Sequence, residues 1–565
     1  MYNDRVSLSE VHLRLAGDFF CSRKEEQPMK LIRVKDMKAF EQEADRSGLS
    51  YAQMVQNAGR GLGEWIISHH FDMPTPPSIL GLVGSGNNGA DALVALTFLA
   101  ERGWQAAAYL VRERAADDIL LQALVKAGGN VLAEGQECTH LVQSLKGCDV
   151  LLDGILGTGI TLPLKPELAE KLLQIRQILG QINTEMTIVA VDCPSGVDCE
   201  TGEVAPETLY ADYTVCMAAV KEGLLKLPAF EYVGELDTVD IGLGKVIEGY
   251  NQLKVFVVNA DYVRAELPLR QADSHKGDFG SLMVAAGSIN YTGAVRLAVE
   301  GAYRVGTGLV QCAVPNPLYA PLAGVLPEAT WLLLPHETGV IAQEAAEVVF
   351  KNLEKTTALL LGPGWGLEKT TQAFLGRLLG AEKSGGKAAV GFLPSAVKTA
   401  GHAKLPPLVV DADGLKLLAR LPEWPKLLPA GSILTPHPGE MAILTGLDKD
   451  AIQADRLNTA CRFAAEWDQV VVLKGAITVV AAPDGRAGVI PVATSALAKA
   501  GTGDVLAGII GGLRAQGMNA FEAAAVGAWL HGQAGLRAAE WDESDASVMA
   551  RDITEVLGSI LGELG

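Results

Sequence analysis

The chain has 565 residues, of which 49% are apolar and 62 are glycine, and it carries a formal net charge of −19. That length exceeds what one hydrophobic core organises, so two to four domains are expected. The acidic balance excludes nucleic acid and anionic membrane surfaces as bulk partners, although backbone N–H groups at helix N-termini can still hold phosphate.

Residues 1–28 mix charges with short apolar pieces, lack the apolar stretch of a signal peptide and are expected as an extension. No stretch of the chain has the uninterrupted apolar length of a membrane span. From Met29 the periodicity predicts two helices, about Val34–Gly48 and Tyr51–His69, followed by alternating strands and helices. Strands are expected at Ile79–Val83, Gln105–Val111, Val150–Asp153, Thr187–Asp192 and Tyr213–Met217, and helices at Ala90–Arg102, Asp117–Ala127 and Lys165–Ile178. This spacing implies a largely parallel, doubly wound sheet. After a break around Val246–Asp261, a second α/β series sets strands at Ser281–Ala286, Leu309–Val314, Ala358–Gly362, Leu408–Asp411, Ser432–Thr435 and Val470–Lys474. Domains are therefore expected at 29–245 and 266–565, with 246–265 as linker. The eight cysteines are scattered, and Cys193 and Cys199 lack the His or Cys partners of a zinc site. Reduced cytosolic thiols are expected.

The stretch GLVGSGNNGADALVAL (Gly81–Leu96) takes an apolar run into a turn with Gly84, Gly86 and Gly89, then into a helical pattern. It matches G-x-G-x-x-G, the fingerprint of dinucleotide binding, and Glu113 stands at a tolerable distance for a ribose-binding acid. Asn87, Asn88 and Asp91 nevertheless put polar side chains where a pyrophosphate turn usually has small or apolar ones. Later strand ends add Asp153 with the loop Gly157–Pro163, and Asp192 with Ser195 and Asp198. Carboxylate, hydroxyl and amide oxygens without thiolate or imidazole suit a hard cation. Asp153 or Asp192 alone also fits an ordinary cap.

In the second half, KAGTGDVLAGIIGGL sets Gly501 and Gly503 ahead of a helix expected to start near Asp504. Free N–H groups there make an anion site, and a carboxylate beside it can take a proton during phosphoryl transfer. A plain N-capping aspartate is the alternative. Small residues crowd the strand ends within His275–Val310 and Leu361–Gly366, where a ligand can approach backbone. Asp411 and Asp413, and likewise His437 and Glu440, stand at carboxyl ends of strands, where open α/β sheets gather ligand groups. Lys474, Gly475 and Thr478 suit phosphate oxygens. Plain alternatives are a turn role for His437, caps for Asp411 and Asp413, and a solvated strand end for Lys474.

From His275 to Gly517 these strings resemble the ribokinase-like fold and, more narrowly, the ADP- or ATP-dependent NAD(P)H-hydrate dehydratases. The resemblance implies adenine-nucleotide binding by Lys474, Gly475, Ala476, Ile477, Thr478 and Gly503. It implies contact of Ala294, Gly366, His437 and Asp504 with a hydrated nicotinamide nucleotide. It further implies phosphoryl transfer from ADP to the C6 hydroxyl, with Asp504 as base and Mg²⁺ bridging the phosphates, and then elimination. The sequence departs from the family's Asn-Pro-Gly-like turn, with Thr494 and Ser495 in its place.

The span Met29–Leu243 looks like the NAD(P)H-hydrate epimerase family through MVQNAG (Met54–Gly59), GSGNNGAD, DGILGTG, VDCPSGVD and VKEGLL (Val220–Leu225). That likeness implies dinucleotide binding by Asn87, Asn88, Gly89, Ala90, Asp91, Gly157, Thr158, Gly159, Ile160, Thr161, Leu162, Pro163 and Asp192. It also implies K⁺ coordination by Asn88, Asp153 and Ser195, and acid/base inversion at C6 by Asp192. Ala90 and Ala92 replace common glycines, so a positive φ at Ala90 would weaken this half. The whole is expected to be α/β with two doubly wound domains, an N-terminal Rossmann-like epimerase domain and a C-terminal ribokinase-like domain. The resemblances imply interconversion of (R)- and (S)-NADHX or NADPHX, and dehydration of the S form with ADP giving AMP and phosphate. K⁺, Mg²⁺ and ADP are the expected cofactors, in a cytoplasmic homo-oligomer with no nucleic-acid or membrane partner. The alternative is a ribokinase-like small-molecule kinase fused to a non-catalytic nucleotide-binding or assembly domain.

Overall fold

The computed structural model describes residues 28–69, 76–115, 117–132, 139–182, 186–381 and 405–565. Of the extension expected over 1–28, only Pro28 falls within them. The first half is built on seven strands in the order Asn130–Leu132, Gln105–Leu110, Ser78–Val83, Val150–Gly154, Thr187–Val191, Tyr213–Met217 and Glu235–Val239. Every neighbouring pair is parallel. The central strands read as continuous apolar runs because helices cover both faces of the sheet. Helix Tyr51–His69 approaches helix Asn87–Ala100 so closely that a Cβ on Gly59 would sit 2.4 Å from Cβ of Val94. A Cβ on Gly63 would lie 2.5 Å from the Phe98 ring, so these mid-helix glycines set the spacing between the two helices.

The second half continues through a twelve-stranded sheet. Its order is Thr330–Leu334, Leu309–Pro315, Ser281–Ala285, Ala358–Leu361, Leu408–Val410, Ile433–Leu434, Val470–Leu473, Val479–Ala481, Ala487–Val489, Val255–Val257, Met29–Ile32 and Val220–Lys221. The first seven strands are parallel, and an antiparallel meander follows. Helix Thr502–Ala515 lies on helix Thr292–Arg304 through glycine: a Cβ on Gly508 would be 2.0 Å from the carbonyl oxygen of Ala298. Gly508 and Gly512 thus let two backbones touch.

The last three strands of this sheet join the halves. The segment 246–265, expected as a linker, carries the short helix Glu248–Asn251 and the strand Val255–Val257. That strand runs parallel to Ala487–Val489 and antiparallel to Met29–Ile32, with Met29 opposite Val257. Met29–Ile32 pairs in turn with Val220–Lys221 of the first half. These strands of two to four residues are too short to show a period, which is why the sequence pattern does not reveal them.

In both sheets the strand order reverses once among the parallel strands. The reversal falls between Ser78–Val83 and Val150–Gly154 in the first, and between Ser281–Ala285 and Ala358–Leu361 in the second. Open α/β sheets bind ligands at such points, outside the carboxyl ends of the strands. Among the described residues no helix is long and apolar enough to cross a membrane.

Two candidate active sites

At the first reversal, Gly84 and Gly89 are required by space. A Cβ on Gly84 would lie 2.0 Å from the oxygen of Ile155, and one on Gly89 2.1 Å from the oxygen of Gly84. Gly86 is extended and open, and the helix begins at Asn87, three residues before the expected start at Ala90. Asn87–Asp91 are therefore its first turns rather than a loop. Ala90 is helical and has no positive φ, so alanine fits there without strain. Arg114, not Glu113, reaches the turn, donating from Nη1 to the oxygen of Gly84 at 2.8 Å.

Beside this turn lies a cavity of about 470 Å³ lined in part by Asn87, Asn88, Asp91, Gly157–Ile160 and Asp192. The predicted residues Gly89 and Ala90 sit in the helix behind it, and Thr161 is not among its lining residues. Leu162 and Pro163 instead line a separate cavity of about 570 Å³ with Glu203–Glu207 and Pro228. Asp198 accepts from the N–H groups of Glu200 and Thr201, the turn role its position allows.

Asp153 and Ser195 are hydrogen-bonded to each other, and Asn88 joins this knot through the backbone of Leu156. Ser195 donates its N–H (2.7 Å) and hydroxyl (2.5 Å) to the two oxygens of Asp153, and the N–H of Leu156 donates to the hydroxyl of Ser195. The Asn88 amide donates to the oxygens of Leu156 and Val191. Its Oδ1 stands 2.2 Å from where a Cβ on Gly157 would be, so that glycine leaves room for it. Asp153 is only 1% exposed and has no cationic partner among the described residues. Burial raises its carboxyl above the usual range, against the hydrogen bonds from Ser195. A buried carboxylate with amide and hydroxyl oxygens around it is a donor set for a hard monovalent cation.

Asp192 ends its strand at φ 68°, a left-handed conformation that turns the side chain toward the cavity. Its Oδ1 accepts from the N–H of Met217 at 2.8 Å and forms an ion pair with Lys221. Lys221 is 2% exposed and also donates to the oxygen of Met217. Burial opposes its charge, but Asp192 outweighs that and raises the lysine above its ordinary range. Sequence reasoning gave Lys221 no role, although it lay within VKEGLL. It also missed Glu41, a cavity-lining residue whose carboxyl burial pushes up.

At the second site, strand ends converge through charge. Lys474 Nζ lies 2.6 Å from Oδ1 of Asp411 and 3.9 Å from Oε2 of Glu440. Burial opposes the charge of Lys474, but Asp411 and Glu440 outweigh it and raise its pKa. The hydroxyl of Thr435 donates to the same Asp411 oxygen at 2.7 Å. Asp504, in the first turn of helix Thr502–Ala515, is pushed up to about 7, by burial first and then by Asp411, with Lys474 opposing. The helix starts at Thr502, two residues before the expected start, behind Gly501 at φ 93°. Gly503 lies against Lys474, since its Cβ would sit 3.5 Å from Nζ. Behind the turn, His531 Nε2 lies 2.9 Å from the oxygen of Thr502, and burial lowers that imidazole to about 4, so it stays neutral.

The loop Gly362–Gly366 needs its glycines: a Cβ on Gly362 (φ 117°) would be 2.0 Å from the oxygen of Asp411. Gly366 donates its N–H to Asp413 at 2.9 Å, and Ala294 backs Gly364. Gly475 is at φ 154° and Ile477 at φ 57°, in a turn closed between Gly475 and Thr478. His437 caps helix Pro438–Thr445, its Nδ1 accepting from the N–H groups of Gly439 and Glu440. That is the turn role its flanking prolines suggest, and it leaves the ring half exposed. Burial pushes Glu440 up, but His437 and Lys474 bring it below the usual carboxylate range. Thr494 and Ser495, where the sequence departs from the common turn, both donate to Asp545.

The family model described as NAD(P)H-hydrate dehydratase matches residues 282–557, and that described as YjeF-related protein N-terminus matches 51–223. The chain is 33% identical over 522 residues to the bifunctional NAD(P)H-hydrate repair enzyme of Moorella thermoacetica, covering 90% of this chain and 92% of the relative. It is 32% identical over 511 residues to that of Escherichia coli, covering 88% of each. Among solved structures it is similar to the ADP/ATP-dependent NAD(P)H-hydrate dehydratase of Bacillus subtilis co-crystallised with ATP and Mg²⁺. There the identity is 30% and the TM-score 0.44, over 55% of this chain and 98% of that one.

Proposed function

The chain belongs to the bifunctional NAD(P)H-hydrate repair enzymes, and from that membership we propose how its two sites divide the work. The first half interconverts the R and S epimers of NADHX or NADPHX at C6. The second dehydrates the S epimer to NADH or NADPH, consuming ADP and giving AMP and phosphate. The observation that carries this reading is a polarised aspartate at each sheet's ligand-binding edge. Asp192 is ion-paired to buried Lys221 at one, and Asp504 is raised to about 7 beside Lys474 at the other.

In the second site Asp504 takes the proton of the C6 hydroxyl as its oxygen attacks phosphorus, a base whose pKa near neutrality suits the transfer. Lys474 and the N–H groups of the Gly475–Thr478 turn and of Gly503 hold the phosphates. Mg²⁺ arriving with the nucleotide would supply positive charge to the phosphates that Lys474 and this turn hold. Phosphate then leaves C6 as the ring nitrogen pushes its electron pair in, and loss of a proton from C5 restores the reduced cofactor. Ala294, Gly366 and His437 orient the nicotinamide end.

In the first site Asn87, Asn88 and Gly157–Ile160 hold the dinucleotide, and Asp192 works on the C6 hemiaminal. Asn88, Asp153 and Ser195 are the residues proposed to hold K⁺, which when bound supplies positive charge beside the substrate. Among the described residues the free cysteines, five buried and one half-buried, suit a reducing compartment, and the cytoplasm is the location proposed.

An assay with the epimer mixture, run with ADP, with ATP and without nucleotide, tests the reading. Full conversion to reduced cofactor with ADP is expected, and Asp192→Ala should leave the R fraction unconsumed at the rate of spontaneous epimerisation. Release of a stable phosphorylated nucleotide would overturn the dehydratase assignment. Wild-type chain that consumes S but not R would overturn the epimerase assignment.

A further inference from the structure

The first cavity holds a second carboxyl group that the mechanism above leaves without a chemical step. Asp91 lies in the first turns of helix Asn87–Ala100, is only 6% exposed, lines the cavity, and its Oδ1 has no hydrogen-bond partner among the described residues. Resting on the epimerase reading, we propose that Asp91 is the proton donor to the departing C6 oxygen and Asp192 the base on the opposite face. Inversion then runs by loss and return of water.

Asp91 and Asp192 share one cavity but differ in what surrounds them. Asp192 has the N–H of Met217 and the ammonium of Lys221 on Oδ1. Asp91 has no such donor. Its charged neighbours are Asp192, Glu41 and Lys221, and burial together with the two carboxylates pushes it well above the usual range, with Lys221 opposing. Lys38 and Arg112 also line the cavity. A buried carboxyl group without a donor is held in its neutral form, and that form presents an O–H to whatever enters. A buried carboxyl group without donors beside one that holds an ammonium and an N–H provides an acid and a base.

The step balances as follows. Asp91 gives its proton to the C6 hydroxyl, the C6–O bond breaks with its electron pair leaving on water, and the N1 lone pair forms the N1=C6 iminium. A water molecule adds to the other face, returning the N1=C6 pair to N1, and loses its proton to Asp192. One proton has moved from Asp91 to Asp192, and exchange with solvent resets both groups. No electrons enter or leave. From the opposite epimer the same steps run in reverse.

The test uses the full chain, a purified single epimer and H₂¹⁸O, with the uncatalysed rate subtracted. Each catalysed inversion is expected to place one ¹⁸O on C6. Asp91→Asn, which keeps the shape but has no carboxyl proton, is expected to lower kcat for inversion by about 10²-fold or more while changing KM by less than about threefold. Asp91→Glu should recover part of the loss, and ADP-dependent dehydration of the S epimer by the same variants should be unchanged, which shows that the chain is folded. Inverted product without ¹⁸O would overturn the proposal, as would an Asp91→Asn chain inverting at the wild-type rate. Wild-type chain that inverts neither epimer would overturn the epimerase reading beneath it.

Discussion

Replacing Asp504 with asparagine should disable the second site and stabilise the fold that carries it. The carboxyl is raised from 3.8 to about 7 by burial and by Asp411, with Lys474 only partly offsetting. Below about pH 4 the group is protonated whether the chain is folded or not, and nothing is lost. Between that point and pH 7 the unfolded chain releases the proton while the folded one keeps it, so stability falls as pH rises. Above 7 the cost is constant. At 1.36 kcal/mol per unit, the charge costs about 4 kcal/mol at pH 8 and about 1 kcal/mol at pH 4.5. Asparagine has no charge to bury, so Asp504→Asn should unfold at higher urea than wild type, by a margin that grows with pH in those proportions. Tryptophan fluorescence at pH 4.5 and pH 8, without nucleotide or Mg²⁺, reads the midpoints and slopes. ADP-dependent dehydration should fall by about 10²- to 10⁴-fold. Equal midpoint shifts at the two pH values would refute the reasoning, and so would a destabilised variant at pH 8.

The other predictions concern packing, the ion pair and the cation. Gly508→Ala puts a Cβ 2.0 Å from the Ala298 oxygen, so it should destabilise the second half by about 1–3 kcal/mol and impair dehydration before epimerisation, as thermal inactivation of each activity will show. Lys221→Met strips Asp192 of its cation and should cost about 3–5 kcal/mol together with epimerase activity; an unfolding midpoint unchanged from wild type would contradict the pairing. Asp153→Asn removes the charge from the Asn88–Asp153–Ser195 knot, so epimerase rates that rise with KCl in the wild type should become independent of it. A variant still requiring KCl would remove Asp153 from the cation site.

What was legible in the sequence was carried by contiguous strings. Central strands such as Ser78–Val83 announce themselves by apolar runs, and Asp504 by the glycines around it. The dinucleotide-type turn was legible too, but Asn87 and Asn88 read as loop because polar residues beside glycine usually mean one. In the structure they open the helix, and Asn88 is held by carbonyls from two other strand ends. The Asp192–Lys221 pair left no local signal, since its partners lie 29 positions apart and meet through a two-residue strand. Glu41 and Asp91 likewise become neighbours only when helix Val34–Arg46 folds over the sheet edge. His437 shows the opposite case: its flanking prolines suggest a turn residue, and the cap it forms orders Glu440 beside Lys474.

The shared strands also bear on how the chain is made and whether it can be divided. Met29–Ile32 is synthesised long before its partner, for Met29 faces Val257 across 228 intervening steps of chain. The seam therefore closes late, after the first sheet has its own core, and contributes a slow long-range event to assembly. A cut within 246–265 leaves Ala487–Val489 without Val255–Val257, or Met29–Ile32 without its antiparallel neighbour. Either fragment ends in a bare strand edge, a template for pairing with a second copy. Covering each half's edge with the other's strand is thus a service the fusion performs for solubility, separate from any handing-on of substrate.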